Sequence, residues 1–151
     1  LTMLTAVATT YIAGSGAATV QTYTIPGGML NLIADWAIHP ILQLKATFTT
    51  LASSNPTVQF QLRQGATTKD MGTLSGLGAS TTVKFEYEIR YNSSGTLAYD
   101  GFCHKTGVAP TLVNSTQGSL DLTADIFVDV ILTEATINNA ITFRAQTAEL
   151  K

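Results

Sequence analysis

At 151 residues the chain has the size of one domain and can bury roughly 68 to 70% of its unfolded surface, so a self-standing core is expected. Charged residues make up 12% of the chain, about half the usual share of roughly 25%, and the formal net charge is −2 with Lys and Arg scattered singly; no nucleic-acid partner is expected, and some uncharged surface is expected to meet protein. No apolar run approaches the roughly 18 residues of a membrane span, and no basic residue precedes an N-terminal apolar segment, so neither a membrane partner nor a secretory signal is expected.

The first 18 residues contain no charge at all; the first charged side chain is Asp35. Such a segment cannot form a core alone and is too poor in charge for a well-solvated tail. Residues 1–18 are therefore read as an N-terminal arm packing on a neighbouring subunit, with an edge strand on the chain's own domain as the equal alternative. Leu4, Val7, Tyr11 and Ile12 are its expected partner-binding anchors, because their side chains have the most area to bury, about 1.5–3 kcal/mol each for a Leu- or Val-sized residue. Residues 19–151 are expected to form the folded domain.

That domain opens with a weak strand candidate, Thr19 to Ile25, closed by Pro26-Gly27-Gly28. Met29, Leu32, Ile33 and Trp36 have helical spacing, so Gly28 to Trp36 is read as a short helix or a packed loop. His39 precedes Pro40 and is placed in an extended turn. Clear period-two alternation follows in Leu42, Leu44, Ala46 and Phe48, and again in Val58, Phe60 and Leu62. The best strand is Val83 to Tyr91, with Val83, Phe85, Tyr87, Ile89 and Tyr91 on one face and Lys84, Glu86, Glu88 and Arg90 on the other. Ser53-Ser54-Asn55-Pro56, Gly76-Leu77-Gly78 and Asn92-Ser93-Ser94-Gly95 supply turns between these runs.

Thr96 to Lys105 is a weaker strand carrying Cys103 and His104. Adjacent strand residues face opposite ways, so this pair cannot form a Cys-His dyad. The single cysteine also excludes an internal disulfide and zinc-type Cys/His spacing, and it fits maturation in a reducing compartment. Leu120 to Leu132 is read as one long strand, bent or bulged, with Asp121, Asp125 and Asp129 opposite its apolar side. Residues four apart in a strand lie roughly 13 Å apart, too far to share one ion, so these carboxylates are expected to be solvated or paired. Ile141 to Leu150 closes the domain after Asn138-Asn139. No metal, no cofactor and no catalytic residue is expected, and the chain is not expected to be an enzyme. Asn92 and Asn114 fit the glycosylation sequon by spacing, which carries no weight without an export signal.

Seven or eight strands with frequent turns indicate an all-β fold, a jelly-roll-like antiparallel β-sandwich of about eight strands with an extended N-terminal arm. The order of segments, from Tyr23-Thr24-Ile25-Pro26-Gly27-Gly28-Met29-Leu30-Asn31 through Gln59-Phe60-Gln61-Leu62-Arg63-Gln64-Gly65 to Asn138-Asn139-Ala140-Ile141-Thr142, resembles the jelly-roll head decoration, or cement, proteins of tailed bacteriophages. The likeness spans roughly Thr19 to Leu150 and rests on a pattern of segments. It implies a virion structural protein, made in the host cytoplasm, that coats the capsid exterior and bridges neighbouring copies of the major capsid protein. It also implies self-association as a homotrimer, with a homodimer as the alternative. A carbohydrate- or receptor-binding jelly-roll module of a phage tail or fibre is the competing expectation, for which Tyr87, Tyr91, Tyr99 and Trp36 are the candidate stacking rings.

Overall fold

A computed structural model describes residues 2–6, 9–13, 16–31, 41–50, 56–93, 95–134 and 139–151. Within them the chain is all-β and forms two antiparallel sheets packed as a sandwich. The strands are β1 (Thr2–Ala6), β2 (Thr9–Ala13), β3 (Gly16–Ile25), β4 (Ile41–Thr50), β5 (Thr57–Gln64), β6 (Thr67–Leu74), β7 (Thr82–Ser93), β8 (Thr96–Lys105), β9 (Thr111–Gln117), β10 (Ile126–Glu134) and β11 (Asn139–Leu150). The larger sheet runs β1-β11-β4-β7-β8-β9, with β2 also on β11, and the smaller runs β3-β10-β5-β6.

β1 and β2 lie end to end along β11, from Thr2 opposite Glu149 to Ala13 opposite Asn139, and together fill the place of one strand. With that pair taken as first strand and the β8–β9 hairpin set aside, the remaining pairing is nested. First meets last (β1/β2 with β11), second meets seventh (β3 with β10), third meets sixth (β4 with β7), and fourth meets fifth (β5 with β6). This folded-over ribbon is the jelly-roll order. The β8–β9 hairpin is an addition that widens the larger sheet beyond β7.

Alternation in the sequence becomes burial. Leu42, Leu44, Phe48, Val58, Phe60, Val83, Tyr87 and Ile89 are fully enclosed, and their intervening polar neighbours face outward. At the centre, Phe60 of the smaller sheet meets Phe85 and Tyr87 of the larger at ring-centroid distances of 4.4 and 5.8 Å, and Tyr23 meets Phe85 edge-on at 6.1 Å. Three hydroxyls add directed bonds between the sheets. Tyr23 donates to Gln146 Oε1 at 2.5 Å, Tyr87 to the Met71 carbonyl at 3.0 Å, and Tyr99 to the Asp70 carbonyl at 3.1 Å. Burial without partners would make these phenols costly; bonded, they fix how the sheets sit on one another.

Two elements differ from the reading of the sequence. Leu120 to Leu132 is not one strand, because β10 begins only at Ile126. Leu120 and Leu122 are buried on alternate positions as in a strand, but residues 120–125 form a looped segment. Its shape comes from local bonds: the Asp121 carboxylate accepts from the Thr123 amide at 2.9 Å, and the Asp121 carbonyl accepts from the Ala124 amide at 3.1 Å. Pro26-Gly27-Gly28 packs against this segment, with the Gly28 amide donating to the Leu122 carbonyl at 2.7 Å. A Cβ on Gly27 would lie 2.2 Å from the Thr123 carbonyl oxygen, so this contact requires glycine. Of Gly28 to Trp36, read as a short helix or a packed loop, the described part holds a single 3-10 turn at Met29–Asn31; positions 32–40, including Trp36 and His39, lie outside the described residues.

Candidate functional site

The outer face of the larger sheet gathers much of the chain's charge. Register places Lys45 beside Glu86, Thr47 beside Lys84, Glu86 beside Phe102, and Phe102 beside Leu112 across β4, β7, β8 and β9. Lys45 Nζ lies 2.8 Å from Glu86 Oε1, and Gln43 Nε2 donates to Glu86 at 3.1 Å and to Glu88 at 3.5 Å. Arg90 pairs diagonally with Asp100. The face is therefore polar but locally neutralised. A groove of about 280 Å³ crosses it, lined by Lys45, Thr47, Lys84, Glu86, Phe102 and Thr147 among others. Phe102 is half-buried there, and its ring centroid lies 6.2 Å from that of His104.

The smaller sheet is also polar outside, with one tight cluster. Asp129 is 2% exposed and accepts from Arg63 Nε at 2.5 Å, Arg63 Nη2 at 3.3 Å and the Thr22 hydroxyl at 2.8 Å. The Arg63 guanidinium also covers the Phe127 ring at 4.6 Å, and its bond to Asp129 pushes its proton affinity up. This joins β3, β5 and β10 on the outside as the tyrosines do on the inside.

The residues singled out from sequence fall as follows. Cys103 is buried and His104 half-buried on the opposite face. Burial pushes the Cys103 thiol up, away from a reactive thiolate. Asp121, Asp125 and Asp129 do not share a strand face. Asp121 sits in the loop, where the Thr123 hydroxyl at 2.6 Å and the Thr123 amide hold its carboxyl below the usual range; Asp125 accepts from the Gly27 amide at 2.9 Å; and Asp129 faces Arg63. Tyr87 and Tyr99 are core residues, not stacking platforms, and Tyr91 packs half-buried against the core. Burial pushes the hydroxyls of Tyr87 and Tyr99 up as well. Of the arm's anchors, Leu4 lies in β1, and Tyr11 and Ile12 lie in β2, both paired with β11 of the same chain; Val7 is outside the described residues. Among the described residues, no cluster of three His, Cys, Asp or Glu side chains is placed to hold a metal.

Sequence reading missed β6, β9 and the outer groove. β6 escapes notice because a bulge at Met71 shifts its parity: Phe60 faces Gly72 and Gln61 faces Asp70, leaving Met71 without a partner in β5. Met71 and Leu74 are then both buried, three residues apart, which no strand period matches. β9 lacks a signal because its residues are exposed or half-buried on both faces. The groove arises where β4, β7, β8 and β11 meet, which no single segment records, although Phe102, on the same face of β8 as Asp100 and His104, was a visible cue. No protein-family model matches the chain, and no curated protein matches it.

Proposed function

We propose that the chain is a virion structural subunit, a decoration or cement protein that binds the outside of a phage head and bridges neighbouring major capsid proteins. The observation that carries this reading is the outer face of the larger sheet, broadened by the β8–β9 hairpin and already neutralised by Lys45–Glu86 and Arg90–Asp100. Charges that have satisfied one another lose less than unpaired charges when a protein surface covers them, so such a face suits a broad contact. Cementing needs area and repetition, and weak contacts repeated around a symmetric shell add to strong attachment. The resemblance to head decoration proteins supplies the partner, the major capsid protein, and the location on the capsid exterior.

Co-sedimentation with undecorated capsids tests it: the protein is expected to pellet with shells in a fixed stoichiometry. Replacing Lys84 and Phe102 together by Ala is expected to lower occupancy; absence of binding by the wild-type chain overturns the proposal. The alternative, a carbohydrate- or receptor-binding module, draws on the groove beside Phe102. A specific hit on a glycan array, lost in Phe102→Ala, would favour it.

A further inference from the structure

Among the described residues four strand edges bound the sandwich, and they are unequally protected. The edge along β11 is broken into two five-residue strands, with an irregularity between Thr2 and Leu4. β3 meets β10 through a register shift between Val130 and Ile131. β6 carries Lys69 and Asp70 and the bulge at Met71. Charges, bulges and short strands are the usual devices that stop edges from pairing. β9 has none of them. Its seven residues, Thr111–Gln117, pair with β8 from Thr111 opposite Cys103 to Gln117 opposite Leu97 without a shift. No Lys, Arg, Asp or Glu lies anywhere between Lys105 and Asp121.

The apolar surface lies at the same place. Val108 and Leu112 are the exposed large hydrophobic residues among those described, at 53 and 81%. Leu112 stands next to Phe102 in the ladder, so the half-buried ring continues into an exposed leucine at the sheet's margin. Among the described residues, no strand pairs the other side of β9, and alternate residues there turn their amide and carbonyl groups outward.

We infer that β9 is a strand-pairing edge whose occupant is β9 of a second copy, joined antiparallel about a twofold axis. Charge and symmetry select this occupant. An uncharged strand can face itself without setting like charges opposite, which a strand such as β7 could not do in most registers. A twofold axis perpendicular to the sheet requires opposed residues to share a face, so it passes between the two copies of one residue; only Asn114 at the centre pairs all seven positions. Leu112 of each copy then lies against Thr116 of the other, and Val113 against Ser115. The two larger sheets become continuous across the seam. A seam of this size gives a concentration-dependent dimer.

This inference is independent of capsid attachment, because self-association is read by sedimentation of the protein alone, without shells. Leu112, Asn114 and Thr116 are all exposed, so their replacement leaves the core intact. Over about a hundredfold concentration range, the wild-type chain is expected to pass from monomer to dimer. Asn114→Lys sets two lysines together at the axis and is expected to weaken the dimer about tenfold or more. Register is tested by charge pairs. Leu112→Lys with Thr116→Lys is expected to abolish association, whereas Leu112→Lys with Thr116→Glu restores it. Circular dichroism and melting unchanged in each variant show that the fold persists. A wild-type chain that stays monomeric, a threefold mass, or a dimer indifferent to these substitutions would overturn the inference.

Discussion

Replacing Tyr87 by Phe removes one oxygen from the centre of the sandwich, and with it the bond that ties β7 to the β6 bulge. The Tyr87 ring is fully buried, and its hydroxyl donates at 3.0 Å to the carbonyl of Met71, a residue that is also fully buried and has no partner in β5. A backbone carbonyl left without a partner inside a core costs about 1–3 kcal/mol. For a domain of this length each kcal/mol lowers Tm by about 2–4 °C, so Tyr87→Phe is expected to melt about 2–12 °C below the wild type. Tyr99→Phe is the internal control. Its hydroxyl bonds at 3.1 Å to the carbonyl of Asp70, an exposed residue whose carbonyl water can satisfy instead, so the loss is expected to stay below about 1 kcal/mol. Urea unfolding of both variants, at equal m-values, gives the comparison. A Tyr87→Phe variant within about 0.5 kcal/mol of wild type, or a Tyr99→Phe variant that loses as much, would show that the Met71 carbonyl does not depend on this bond.

Other outcomes follow from the same geometry. Burial holds Tyr87 and Cys103 neutral in the folded chain by raising both above their usual values. The unfolded chain releases these protons first, so their contribution is complete at low pH and is lost as pH rises past about 8.5 for the thiol and about 10 for the phenol. Urea titrations between neutral and strongly alkaline pH should show this decline, with a shallower slope in Tyr87→Phe and in Cys103→Ala. Asp129→Ala takes the shared acceptor from Arg63 and Thr22 and is expected to cost about 3 kcal/mol, while Asp129→Asn, which keeps an acceptor for Thr22, costs less; chemical denaturation of both variants checks the order. Gly101→Ala puts a Cβ 2.0 Å from the Glu86 carbonyl oxygen and forces β7 and β8 apart, so a loss of about 1–3 kcal/mol or more is expected by thermal melting.

The sequence legibly specified the interior. Wherever a strand is buried on one face only, as in β4, β5 and β7, the water-excluding side must take every second residue, and that period is written in the chain. The same pattern separated Cys103 from His104 without any coordinates. It misled at Leu120 to Asp125, where two buried leucines on alternate positions belong to a loop held by Asp121 and by Gln64, whose side chain both donates to and accepts from the Asp121 backbone. Local alternation reports burial, and a loop pressed onto the core can satisfy it as well as a strand.

Which strands meet, and hence which surface is presented, is settled by the packing of the two sheets. The nested pairing, the Met71 bulge received by Tyr87, the neutralised outer face and the uncharged β9 edge all join residues far apart in the chain. Periodicity along a segment records which side of it avoids water. It holds no record of the neighbour across the ladder, because that choice depends on the packing of both sheets at once.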